Sequence, residues 1–307
     1  MRRCTNHIAR VILASIFILF TGKSFAEDNF SLGAPSCGGE CHEAELEVWE
    51  GSPHNASFDK FDDPSDELTE KIDAILEAVG SDDMTESPVC TNCHFTMIKE
   101  EADEEAFADS GPSCESCHGP GSEFREIHSD QDVDYDQRMA NAEAAGMIRP
   151  NMKFEIATNC NGCHAMATPG IDGETIAKML DAGHPINPAF ELVKYSQGSV
   201  RHRFYEPDTT VNAEMTQQEL ASLYLEGQIA QLLAAHKGLQ KSSNEQYTVA
   251  MQLRANNAKQ ALSSIDGSAA FTGSPTEASA RALVETIKSK DYTDKVANKL
   301  PKPSDYK

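Results

Sequence analysis

Eight of the nine cysteines stand in four similar stations: Cys37-Gly-Gly-Glu-Cys41-His42, Cys90-Thr-Asn-Cys93-His94, Cys114-Glu-Ser-Cys117-His118 and Cys160-Asn-Gly-Cys163-His164. Three read C-x-x-C-H, and the first has one extra residue. This spacing is the attachment signature of a c-type haem. Two thiols a helical turn apart reach the two vinyl groups of one porphyrin. The histidine that follows then presents its imidazole to the iron. Disulfides do not explain a histidine after every second cysteine. Zinc sites do not place the histidine beside the cysteine each time, and a thioredoxin-like pair occurs once, not four times. The sequence therefore predicts four covalently attached haem c groups, each with its iron. In the first station the extra residue must bulge, and Gly38-Gly39 offers backbone freedom for it.

Four large flat apolar bodies also account for a lean composition of 39% hydrophobic and 7% aromatic residues. They constrain the fold to a mainly α chain with much irregular loop. The expected form is a multihaem cytochrome c core followed by a C-terminal helical extension.

His42, His94, His118 and His164 are the expected proximal ligands. The other face of each iron needs a second ligand or stays open. Methionine is the alternative axial group, but none of the ten methionines stands in a repeated relation to the stations. Histidines do. His54 follows the first station in Trp49-Glu-Gly-Ser-Pro-His54, His128 lies ten residues after His118, and His202 follows the last station. Four irons in a small volume turn each of these from an ordinary surface histidine into a candidate metal ligand. Bis-histidine ligation is the expectation.

The block Cys114-Glu-Ser-Cys117-His118-Gly-Pro-Gly-Ser-Glu-Phe-Arg-Glu-Ile-His128, with Trp49 and His54 after the first station, resembles the tetrahaem cytochrome c-554 family. The resemblance runs over roughly residues 34–206. It implies an electron carrier, of the kind that accepts electrons from hydroxylamine oxidoreductase in ammonia oxidisers. It also implies that distal ligands come from other stations: His54 opposite His164, His128 opposite His42, and His202 opposite His118. The haem at His94 would correspond to the five-coordinate one. Three features depart from the family: the wider first station, an acidic rather than basic chain, and His184 in Gly183-His184-Pro185, which has no counterpart and could close the open face.

Residues 1–26 read as a leader: Arg2, Arg3 and Arg10, an apolar run from Val11 to Phe20, then Ser24 and Ala26 before a cleavage point. The run is too short to span a bilayer. The expectation is an exported, periplasmic protein, soluble after cleavage, with an extracellular location as the alternative. With 26 Lys+Arg against 49 Asp+Glu the net charge is −23. That argues against nucleic acid, whose binding is driven by cationic side chains. Residues 100–109 form an acidic run, read either as solvated surface or as a docking face for a basic redox partner.

Between the stations, Glu67 to Ala78 is predicted helical, with Leu68, Ile72, Ile75 and Leu76 on one face. Residues 27–206 make the expected haem region, and 207–307 the helical extension packed on it. In that extension Thr216-Gln-Gln-Glu219 is a capping-box start. A second helix is expected from Asn244 to Ser263 and a third from Ser274-Pro275-Thr276-Glu277, with a break at Asp266-Gly267-Ser268. His236 lies on the apolar stripe of the first, read as packing or as a haem ligand.

No phosphate loop, nucleophile elbow or zinc-protease helix is present in the sequence. The reading is thus an electron-transfer protein relaying electrons between redox proteins, in nitrogen-compound oxidation or anaerobic respiration. Two alternatives stay open: a reductase of nitric oxide or a similar small molecule at an open haem on His94, and a subunit of an extracellular haem filament. The oligomeric state is open.

Overall fold

The computed structural model describes residues 29–307, so the leader expected at 1–26 and Cys4 lie outside the described residues. The chain is mainly helical. The first part holds α1 (Ala34–Gly38), α2 (Glu43–Glu50), α3 (Ala56–Asp62), α4 (Asp66–Val79) and α5 (Pro88–His94). A small antiparallel hairpin of β1 (Thr96–Ile98) and β2 (Phe107–Ser110) follows. Next come α6 (Cys114–His118), α7 (Arg125–Ser129), α8 (Tyr135–Ala144), α9 (Lys153–His164), α10 (Gly173–Asp181) and α11 (Leu192–Ser196). The last part holds α12 (Gln217–Lys241), α13 (Glu245–Leu262), α14 (Ser268–Gly273), α15 (Glu277–Lys288) and α16 (Thr293–Val296).

The longer helices start and stop on local chemistry. In α4, Ser65 caps the first turn through Leu68 N, and Gly80 ends it in the left-handed conformation at φ 74°. In α12, the Thr216 hydroxyl accepts from Glu219 N while the Glu219 carboxylate accepts from Thr216 N. Asn244 caps α13 through Tyr247 N. Thr276 is the cap of α15, so Pro275 lies just before that helix rather than in its first turn.

Burial is uneven along the chain. Among described residues before 150, the buried hydrophobics are Ala34, Leu76, Cys90, Phe95, Phe124, Met139 and Ala142. The main core instead runs from Phe154 to Val296 and joins α9 and α10 to α12, α13 and α15. Helix α12 is buried on most of its faces, as expected of a central helix. Three of the four stations thus lie in a segment with too little apolar side chain to make a core of its own. A large apolar prosthetic group is the kind of body that makes up such a deficit.

Candidate haem sites

Each regular station ends a helix. Cys90, Cys93 and His94 close α5, Cys114, Cys117 and His118 span α6, and Cys160, Cys163 and His164 close α9. In a helix, positions i, i+3 and i+4 share a face, so both sulfurs and the imidazole of a station are carried on one side. The first station is built differently. Helix α1 ends at Gly38, and His42 N donates to Cys37 O at 3.2 Å, a five-residue span. This wide turn absorbs the extra residue much as a π-bulge does. It uses no left-handed backbone: Gly39 has φ −63° and ψ −25°.

The stations are neighbours in space. None of the eight described cysteines is in a disulfide. Cys37 lies beside Cys114, Cys117 beside Cys160, and Cys93 beside Cys163, as α1 packs on α6, α6 on α9 and α9 on α5. These contacts string the stations in the order first, third, fourth, second.

The histidines face one another across the stations. His42 and His128 have ring centres 6.3 Å apart, His54 and His164 6.2 Å, His118 and His202 6.0 Å, and His94 and His184 6.0 Å. Imidazole–metal bonds are about 2 Å long. With the ring centre about 1.1 Å behind the ligating nitrogen, two imidazoles on one metal have centres roughly 6.2 Å apart. All four pairs fit that figure. Among the described residues no cluster of three or more His, Cys, Asp or Glu is arranged to chelate a bare ion.

Hydrogen bonds orient several of these rings. Nδ1 of His118 donates to Ile148 O at 2.7 Å, that of His202 to Val200 O at 2.7 Å, and that of His128 to Phe124 O at 3.2 Å. His184 does the same with Pro185 O at 2.8 Å. A carbonyl can only accept, so Nδ1 carries the proton and Nε2 keeps its lone pair for a metal. Burial pushes His94 and His164 down to about 4, and lowers His54, His118 and His184 as well. They are neutral at pH 7, the form that coordinates. His236 is placed elsewhere: its Nε2 meets the Gln240 amide at 3.1 Å, one turn along α12.

Backbone and second-layer groups fix the stations. Gly119, after His118, has φ 87°, and a Cβ there would collide with the carbonyl oxygen of Gly146. That explains the first glycine of the His118-Gly-Pro-Gly block. Trp49 Nε1 donates to Pro112 O at 2.9 Å and ties α2 to the entry of the third station.

Two charged groups escaped the sequence reading. Glu115, inside the third station, is buried and accepts from Leu32 N, Gly33 N and Gly121 N at 2.6–3.0 Å. Burial raises its carboxyl above the usual range, against the pull of those three N–H groups. Arg254 of α13 is fully buried and reaches His164 O, Asn187 O and Asn161 Oδ1. A charged residue with no sequence neighbour to pair with gave no signal of either role.

Helix-borne Cys-x-x-Cys-His stations, a segment short of apolar core, and facing imidazoles define a c-type cytochrome with several haems. The more particular assignment comes from comparison. Residues 36–119 match the family described as cytochrome c554 and c-prime. Cytochrome c-554 of Nitrosomonas europaea is 25% identical over 158 residues, half of this chain and 66% of that protein. The chain thus spans just under two thirds of the length of this relative. The chain is thus similar to cytochromes of the c-554 family, over residues 36–119 by the family match. No solved structure matches the chain.

Proposed function

We propose that this chain is a periplasmic tetrahaem electron relay with axial histidines exchanged between stations. The observation that carries the proposal is the set of cross-station pairs His42–His128, His54–His164 and His118–His202, with ring centres 6.0–6.3 Å apart. Cross-station disulfides account for the neighbouring sulfurs, but not for a distant imidazole opposite each station's own. Haem iron supplies one-electron chemistry, tuned by its axial ligands, hydrogen bonds and burial.

The chain's own residues do the rest. The helices set the stations in the spatial order first, third, fourth, second. The exchanged histidines tie remote segments into one rigid unit, so little has to move when charge passes. As a relay the chain exchanges electrons with a partner protein.

That partner is a redox protein with a basic face. The acidic run occupies the loop of the β1–β2 hairpin, where Glu100 to Phe107 are all exposed. Charge of one sign on a protruding loop speeds encounter with a partner of the other sign. Export rests on the leader pattern at residues 1–26.

Mass spectrometry of the mature protein tests the reading. Four haem increments on the polypeptide are expected, falling to three in Cys114→Ala/Cys117→Ala. A chain at its bare polypeptide mass after export, or sulfurs found in cystines, overturns it.

A further inference from the structure

We propose that His184 is the distal axial ligand of the haem anchored by Cys90, Cys93 and His94, so that this iron is six-coordinate. The family resemblance implies an open iron at this station, so the proposal is a departure from it. It rests on the haem-relay reading above and deepens it.

Three observations carry it. First, the His94 and His184 ring centres lie 6.0 Å apart, equal to His118–His202 and close to the other two pairs. Second, Nδ1 of His184 donates to a backbone carbonyl at 2.8 Å, as the rings of His118 and His202 do at 2.7 Å. The nitrogen left free is the one that can ligate. Third, one cavity is lined by both rings together with Cys93, and its walls are apolar, with Val89, Met166 and Ile171 among them. Such a space suits the face of a porphyrin rather than a hydrated ion.

The loop that carries His184 is held in place. It leaves α10 through Gly183, at φ 99°, and His184 N donates to Met179 O at 2.9 Å. Three residues on, Asn187 O accepts from Arg254 at 3.2 Å, and the Asn187 amide donates to Tyr195 Oη at 2.9 Å. The ring is therefore presented by a loop fixed at both ends. His236, the other candidate, has its ring nitrogen on Gln240.

With imidazole on both faces, this iron has no vacant position. The reductase alternative loses its site, and all four stations become electron-transfer centres.

The test uses the mature holoprotein, with its haem count established first by mass. Electron paramagnetic resonance of the oxidised protein should show low-spin iron alone, and carbon monoxide should leave the reduced spectrum unchanged. In His184→Gly, one iron in four should turn high-spin and bind carbon monoxide, and added imidazole should restore the low-spin signal. In His184→Met, which keeps a ligand, the potential of one haem should rise without a high-spin signal. Four haems with one high-spin iron in the unmutated protein overturn the His184 cap alone. So does a vacancy created by His236→Ala and not by His184→Gly. Fewer than four haems overturns the tetrahaem reading and this proposal with it.

Discussion

Arg254 donates to the carbonyl oxygen of His164, 2.7 Å away. The first residue belongs to α13 and the second to the fourth station, so the chain after residue 207 reaches directly behind that station. The guanidinium also holds Asn187 O and Asn161 Oδ1, and lies 5.5 Å from the Phe190 ring. Burial lowers it to about 10, so it remains a cation at neutral pH. A buried cation held by carbonyls is costly to install. It returns a fixed positive charge beside His164.

Replacing Arg254 should therefore have two separable effects. Arg254→Met leaves buried neutral acceptors unpaired and should cost on the order of 1–3 kcal/mol of stability. It also removes a charge that favours the reduced state. For a one-electron couple, a loss of about 1 kcal/mol lowers the potential by roughly 40 mV. Arg254→Lys keeps the charge without the forked donor, and should restore the potential more fully than the stability. Redox titration and thermal unfolding of both variants check this. Equal potentials in all three proteins would make Arg254 a packing residue only.

Legibility followed the range of the interactions. The reading of α13 as Asn244 to Ser263 meets a helix of Glu245–Leu262, and that of α4 as Glu67 to Ala78 meets Asp66–Val79. Both are set by caps and periodicity within a few residues of their ends. The stations were legible because their chemistry is written in five or six consecutive residues. The hairpin under the acidic run was not read, since its three-residue and four-residue strands carry too short a pattern. Nor was the placement of Arg254, and His184 was legible only as one residue able to close the face opposite His94. Each depends on where a segment tens of residues away comes to rest.

The proposed exchange of ligands between stations has a sharp consequence for His54. It follows the first station in sequence, yet its ring faces that of His164. His54→Gly should open the iron of the fourth haem, not of the first. The resulting high-spin signal should vanish in a variant that also carries Cys160→Ala/Cys163→Ala, and persist with Cys37→Ala/Cys41→Ala. The reverse pattern would sink the cross-station assignment.

The acidic hairpin loop should govern encounter rather than affinity in the docked state. Changing Glu100, Glu101, Glu104 and Glu105 to Gln should lower the association rate with a basic redox partner by about 10-fold at low salt, by loss of steering. The difference should shrink as salt rises, because exposed charges are screened beyond about 8 Å at physiological ionic strength. Stopped-flow electron transfer against a small basic c-type cytochrome, over a salt series, measures it. Parallel salt profiles for the two proteins would assign the loop to plain solvated surface.

Glu226 offers a pH test of the scaffold away from the stations. It lies on α12 at 1% exposure, with Oε1 accepting from Ser222 at 2.7 Å and Oε2 without a partner. Burial raises its carboxyl above the usual range, opposed by Ser222 and by the charges of Lys153 and Lys288, and aided by that of Glu155. The folded state thus holds this proton more tightly than the unfolded chain. Its contribution to stability is full below the unfolded value, about pH 4.3, and is lost as the pH rises through the folded one. Glu226→Gln cannot ionise and avoids that loss. The variant should match the parent near pH 4 and be more stable at pH 7.5. Titrations of the haem ligands are common to both proteins and cancel in the difference. Thermal unfolding of the pair across this range measures it, and a difference independent of pH would show that the carboxyl is not held in its neutral form by burial.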